Sequence, residues 1–196
     1  MIVSFCCWQN IALNAGAIQS STYVHTDGSY ANNASLAVDG NIDGGTHYSV
    51  SITNEDNPSF WEVDLDVSYN ISKIFVFNRE YAAARINGFQ LKVLDADNNA
   101  QYNYTDSVAS GRNLFEIDLQ EDGGINKEGS KVRIELSKTS TTDNHLQLAE
   151  VMVFGEQVRN LNAWSQIQKN LFSGTTCARS CRRRLHSFAC FYFLLI

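Results

Sequence analysis

The segment Asp39-Gly40-Asn41-Ile42-Asp43-Gly44 places oxygen-bearing side chains at alternate positions and closes on a glycine, like the first half of an EF-hand loop. The twelfth position of such a loop supplies a bidentate carboxylate; here it is Val50, and no helix is expected on either side, so an EF-hand is excluded. A tight Asp/Asn/Gly turn can still wrap backbone carbonyls around a hard cation, with Asp39 supplying charge. The same residues also form a hydrogen-bonded Asx turn that needs no metal. Catalytic patterns are missing: there is no G-x-S-x-G, H-E-x-x-H or Walker loop, and no G-x-G-x-x-G after a strand. The histidines stand at 25, 47, 145 and 186, with no cysteine near them in the body of the chain. The adjacent acids Glu55-Asp56 read as solvated loop residues. Cys177 and Cys181 have no second ligand pair at zinc spacing. The expectation is a non-enzyme.

The elements that must position any site are found by separating two unlike pieces of the chain. The 196 residues carry 15 Lys+Arg against 21 Asp+Glu. All the acids lie at or before Glu156, together with nine of the basic residues, a net of −12; residues 157–196 hold six basic residues and no acid. An acidic body argues against nucleic acid and makes anionic membrane lipid an unlikely partner, since both need clustered positive charge. The five cysteines (Cys6, Cys7, Cys177, Cys181 and Cys190) all lie near the ends, so no disulfide holds the body. The organisation expected is an apolar stub over 1–8, a domain over 9–156, and a basic-then-apolar tail over 157–196 outside the core. The stub has no Lys or Arg and is too short for a signal peptide. Sequons at Asn33, Asn70 and Asn103, the latter two expected at turns, favour an extracellular, secreted protein.

Within the body, Trp61-Glu62-Val63-Asp64-Leu65-Asp66 and Lys131-Val132-Arg133-Ile134-Glu135-Leu136 alternate apolar with charged residues, as strands with one wet face do. Phe89 to Leu94 alternates likewise and stops at the turn-forming Asp95-Ala96-Asp97-Asn98-Asn99. Ile74 to Phe77 reads as a strand buried on both sides, and Asn113 to Leu119 and Leu146 to Phe154 complete the set. No helical stripe precedes residue 157. Many short strands predict an all-β fold, an antiparallel sandwich or barrel.

Several segments, in order, resemble one family: Asn10 to Asn14, Gln19 to Tyr23, Ala34 to Asn41, Phe60 to Leu65, Ile71 to Ile74, Asn78-Arg79, Arg85 to Phe89, and Leu148 to Val151. Together they look like the discoidin (coagulation-factor C-type) domain, closest to its F-type, fucose-binding lectin branch, over roughly residues 9 to 155. The resemblance implies a discoidin-like jelly-roll β-sandwich that binds ligands with loops at one end and holds a structural Ca2+ near them. By that resemblance Asp39 and Glu150 give carboxylates, Leu36 and Asn41 give carbonyls, and a residue near Ser49 completes the shell. The period of the last strand puts Glu150 on the face of Leu146, Leu148 and Met152, where a lone carboxylate would be costly without a partner.

In fucose-binding members one His and two Arg grip the sugar, with an Asp two positions after the first Arg. Arg79 and Arg85 fit that frame one residue closer together than the family pattern, Tyr81 stands at the Asp position, and His47 lies just upstream of the aligned His position. Ala82-Ala83-Ala84 replace the adjacent cysteines of the family, and Ala149 replaces one partner of a disulfide beside the calcium. His25 is a further candidate for the rim. The function implied is a non-catalytic lectin or carbohydrate-binding module for fucose- or galactose-type glycans, gaining strength by multivalency, with a homo-oligomer as one route. The alternative is a cell-adhesion domain that binds a protein with the same loops.

Overall fold

The structure is a computed structural model and describes residues 9–108, 111–120, 127–138 and 144–158. The chain divides into Met1–Val158 and Arg159–Ile196. The expected stub, the tail from 159, all five cysteines and His186 lie outside the described residues.

Eight antiparallel strands are described: β1 Gly16–Gln19, β2 Ser51–Ile52, β3 Ser59–Asn78, β4 Gln90–Leu94, β5 Ala100–Thr105, β6 Leu114–Asp118, β7 Lys127–Leu136 and β8 Gln147–Gln157. The hydrogen-bonded order is β2-β8-β3-β7-β4-β5, with β1 and β6 also on β3. The architecture is the expected β-sandwich, and β3 is its spine. Its first half pairs with β1 and β7, its second half with β8 and β6. The switch comes at a bulge between Asp64 and Tyr69, where Asp64 Oδ1 accepts the Asp66 amide at 2.9 Å and Asp66 takes φ 65°. A local carboxylate–amide bond stabilises the bend that lets one strand serve both layers.

This corrects three expectations. Trp61–Asp66 and Ile74–Phe77 are one strand rather than two. Asn70 is no turn residue: it pairs with Glu128 on β7 and with Glu156 on β8. Asn103 likewise lies within β5, opposite Lys92. Ile74 and Val76 are fully buried, but Phe75 and Phe77 are half-buried, so that run alternates. On the outer face Phe75 lies edge-on to Phe154, the ring centroids 5.8 Å apart.

Between the layers Trp61, Phe89 and Phe115 are the largest fully buried side chains, and the Trp61 indole donates to the Ala34 carbonyl at 2.9 Å. That bond satisfies the one polar atom of the residue and fixes the 3-10 turn Ala34–Ala37, which leads into the Asp39 loop. The helices described are this turn and a second 3-10 turn, Ala83–Ile86. Among the described residues no helix is long and apolar enough to cross a membrane.

Candidate functional site

Arg79 is the first residue after β3 ends, and three contacts fix where it emerges. The Asn78 carboxamide donates to the Ala83 carbonyl at 2.9 Å and to the Arg112 carbonyl at 3.0 Å. The Glu80 amide donates to the Gly44 carbonyl at 3.0 Å. At Gly44 a Cβ would sit 2.5 Å from the Asn78 carbonyl, so only glycine lets the 39–50 loop pass this close. The second 3-10 turn is entered through Ala82 at φ 59° and carries Arg85. Asn32, fully buried, donates to the carbonyls of His47 at 2.5 Å and Val50 at 2.7 Å and ties down the loop that bears His47.

These elements enclose a pocket of about 220 Å³ lined by Tyr23, His47, Ile52, Arg79, Arg85, His145 and Gln147. The Arg79 guanidinium, on a residue 3% exposed, donates from Nη1 to Gln147 Oε1 at 3.3 Å and from Nη2 to His47 Nε2 at 2.7 Å. Its Nε has no partner. A histidine nitrogen accepts only when it is unprotonated, and burial pushes the His47 pKa down, with the Arg79 charge adding to the effect. Burial also lowers the Arg79 pKa, as does the nearby positive charge of Arg85. The pocket thus holds arginine donors, a histidine acceptor and an amide oxygen, a set matched to hydroxyl groups.

A second cluster lies on the same 39–50 loop. Asx turns run through it: Asp39 Oδ1 accepts the Asn41 amide at 2.8 Å, Asn41 Oδ1 the Asp43 amide at 3.0 Å, and Asp43 Oδ1 the Gly45 amide at 2.9 Å. Glu150 on β8 is fully buried; its Oε1 accepts the Gly40 amide at 3.2 Å and its Oε2 has no partner. Burial pushes its pKa up to about 7, with the Asp39 charge adding to the rise against the amide hydrogen bonds. Leu36 is half-buried in the first 3-10 turn, and the Ser49 hydroxyl donates to the Asp43 carbonyl at 2.5 Å. Ser49 lies two residues before β2, whose Ser51 pairs with Leu148 on the strand that carries Glu150.

A family model described as the NedA-like, galactose-binding domain matches residues 36–124. Fucolectin-3 of Anguilla japonica is 33% identical over 86 residues, 43% of this chain and 47% of that protein; the chain spans about half the length of this curated relative. A fucose-binding module of Streptococcus pneumoniae, SpX-3, superimposes with a TM-score of 0.63 at 35% identity, covering 76% of this chain and 99% of that one. The chain belongs to the discoidin-like, F5/F8 type C galactose-binding domain family. The lectin domain of lectinolysin, solved with Lewis B antigen, superimposes with a TM-score of 0.64 at 32% identity, covering 76% of this chain and 97% of that one.

Within this family frame, Arg79, Arg85 and His47 are brought together at one pocket. Tyr81 is 69% exposed and does not line the pocket; its ring lies 5.3 Å from the Arg79 guanidinium and covers it from outside. His25 is drawn aside, stacked on Tyr30 at 4.9 Å with Nδ1 2.7 Å from Asp27 Oδ1. Glu80, although adjacent, forms no ion pair with Arg79 among the described residues. Sequence reasoning missed Tyr23, Ile52, His145 and Gln147. The signal for two of them was present: strand period sets His145 and Gln147 on the face opposite Leu146 and Leu148. The His145 ring holds the Thr53 carbonyl through Nδ1 at 2.7 Å and meets Tyr23 edge-on at 6.2 Å.

Proposed function

We propose that this domain is a non-catalytic lectin module that binds glycans of fucose or galactose type in the Arg79–Arg85–His47 pocket. The observation that carries this reading is Arg79 itself, buried yet hydrogen-bonded only to uncharged groups on the pocket wall. A guanidinium fork donates to two neighbouring hydroxyls at once, and neutral His47 and the Gln147 oxygen accept hydroxyl protons in return. Fucose-binding and fucolectin relatives support the ligand class.

The reading includes a resident Ca2+. The residues fit: Glu150 Oε2 is buried without a partner beside Asp39, and Leu36, Asn41 and Ser49 add oxygen atoms of the kind that a hard cation takes. The ion would supply the missing countercharge. These residues would hold the 39–49 segment, and with it His47, in place. The fucolectin relative, together with a striped-bass serum F-lectin that is 25% identical over 77% of this chain at a TM-score of 0.61, supports a secreted protein.

The test is a glycan array probed with the full chain in calcium and again in EDTA. Binding to fucosylated or galactosylated glycans that weakens in EDTA is expected. A folded chain that binds no glycan would overturn the reading.

A further inference from the structure

The charge inside the pocket bears on which sugar it takes. Arg79 is a cation nine-tenths and more buried, and both of its hydrogen-bond partners, Gln147 and His47, are uncharged. A second guanidinium, Arg85, lines the same 220 Å³, as does His145. None of the described residues that line it is Asp or Glu. The nearest carboxylate to the His145 ring is that of Glu55, 3.6 Å from Nε2 and outside the lining. A desolvated charge is costly unless an opposite charge meets it, and among the described residues no carboxylate pairs with Arg79. Burial first, and the nearby Arg85 guanidinium second, lower the pKa of Arg79. The body as a whole carries a net negative charge, whereas the described lining of this pocket carries two arginines and no carboxylate.

We infer that the preferred ligand carries an oxyanion: an acidic sugar, with a carboxylate or sulfate ester that enters the pocket and meets Arg79. This deepens the lectin reading and rests on it. Neutral hydroxyls satisfy the donors of Arg79 but leave its charge uncompensated. An oxyanion does both, through short charge-assisted bonds that a guanidinium fork is shaped to make. The volume suits one sugar unit.

The test is calorimetric titration of the full chain, in calcium, with galactose, galacturonic acid, galactose 6-sulfate, fucose and inorganic sulfate. At least one charged galactose derivative should bind about tenfold tighter than galactose and fucose, and tighter than inorganic sulfate. The isosteric variant Gln147→Glu puts a carboxylate on the existing hydrogen bond to Arg79. It should abolish the preference for the charged sugar. If neutral sugars bind as well as or better than charged ones, the inference fails and the lectin reading stands. If no sugar binds, both fail. Inorganic sulfate binding as tightly as the charged sugars, or a preference that survives Gln147→Glu, would also overturn the inference.

Discussion

The 220 Å³ pocket and a second concavity on the outer face of the sheet share residue types and differ in what those residues do. The outer groove is larger, about 360 Å³, and is lined by Glu62, Lys92, Leu94, Asn98, Ala100, Asn103, Arg133 and Glu135. Its charges are mutually satisfied: Lys92 reaches Glu135 at 2.5 Å, and Arg133 reaches Glu135 at 2.6 Å and Glu62 at 3.2 Å. Arg133 also lies 3.8 Å over the Phe60 ring. In the pocket, Arg79 has only neutral partners and an idle Nε. Size does not mark a binding site here. An arginine whose neighbours are anions is part of the wall; one held by neutral acceptors still has charge and donors to offer a ligand.

The largest effect that would sharpen this contrast is on binding. Arg79→Ala should lower affinity for any bound glycan by at least about a hundredfold, since hydrogen bonds made by charged groups are worth roughly 1.5–3 kcal/mol each and two are lost. Arg133→Ala should leave affinity unchanged in the same titration.

The next largest is on stability. With free Ca2+ a hundredfold above its Kd, a resident ion adds about 2.7 kcal/mol, several degrees of Tm. Thermal scans of Glu150→Gln or Asp39→Ala should show no calcium-dependent rise. Without calcium Glu150→Gln should melt no lower than the parent, because it replaces a buried carboxylate that has one idle oxygen. A calcium response that survives in both variants would remove those residues from the metal site.

How much of this contrast was legible in the sequence follows the range of the interactions. Trp61–Leu65 and Lys131–Leu136 declared themselves because alternation is local. The continuity of β3 did not: Asp66, Ser68 and Asn70 are turn-forming types; the first two lie in the bulge, and the partners that hold Asn70 in the strand lie on β7 and β8. Strand β5, with Gln101, Asn103 and Thr105 exposed, is too polar to announce itself. The pocket was half legible. Arg79, Arg85 and His47 sit in or beside a motif, whereas Tyr23, Ile52, His145 and Gln147 meet them only because β2 pairs with β8. That Tyr81 covers Arg79 from outside depends on the sharp turn at Ala82, which the alanine run does not signal.

Smaller effects belong to the groove. Removing Arg133 should cost about 1 kcal/mol in denaturant unfolding, from lost ion pairs that are partly screened and lost packing on Phe60. The last effect is on pH. Burial works to raise the Glu135 pKa, but hydrogen bonds from Lys92 and Arg133 outweigh it and hold the group below its ordinary value. A depressed folded pKa means stability present above the unfolded value near 4.3 and lost as pH falls through the folded one. The stability of the parent chain should therefore fall across that acid window more steeply than that of Glu135→Gln. Parallel curves would show that the pair network contributes nothing.

The most direct test is titration of the best glycan from the array into the parent chain, Arg79→Ala and Arg133→Ala side by side, each confirmed folded. The account predicts saturable binding to the parent and to Arg133→Ala, and its loss in Arg79→Ala. Undiminished binding to Arg79→Ala would contradict it.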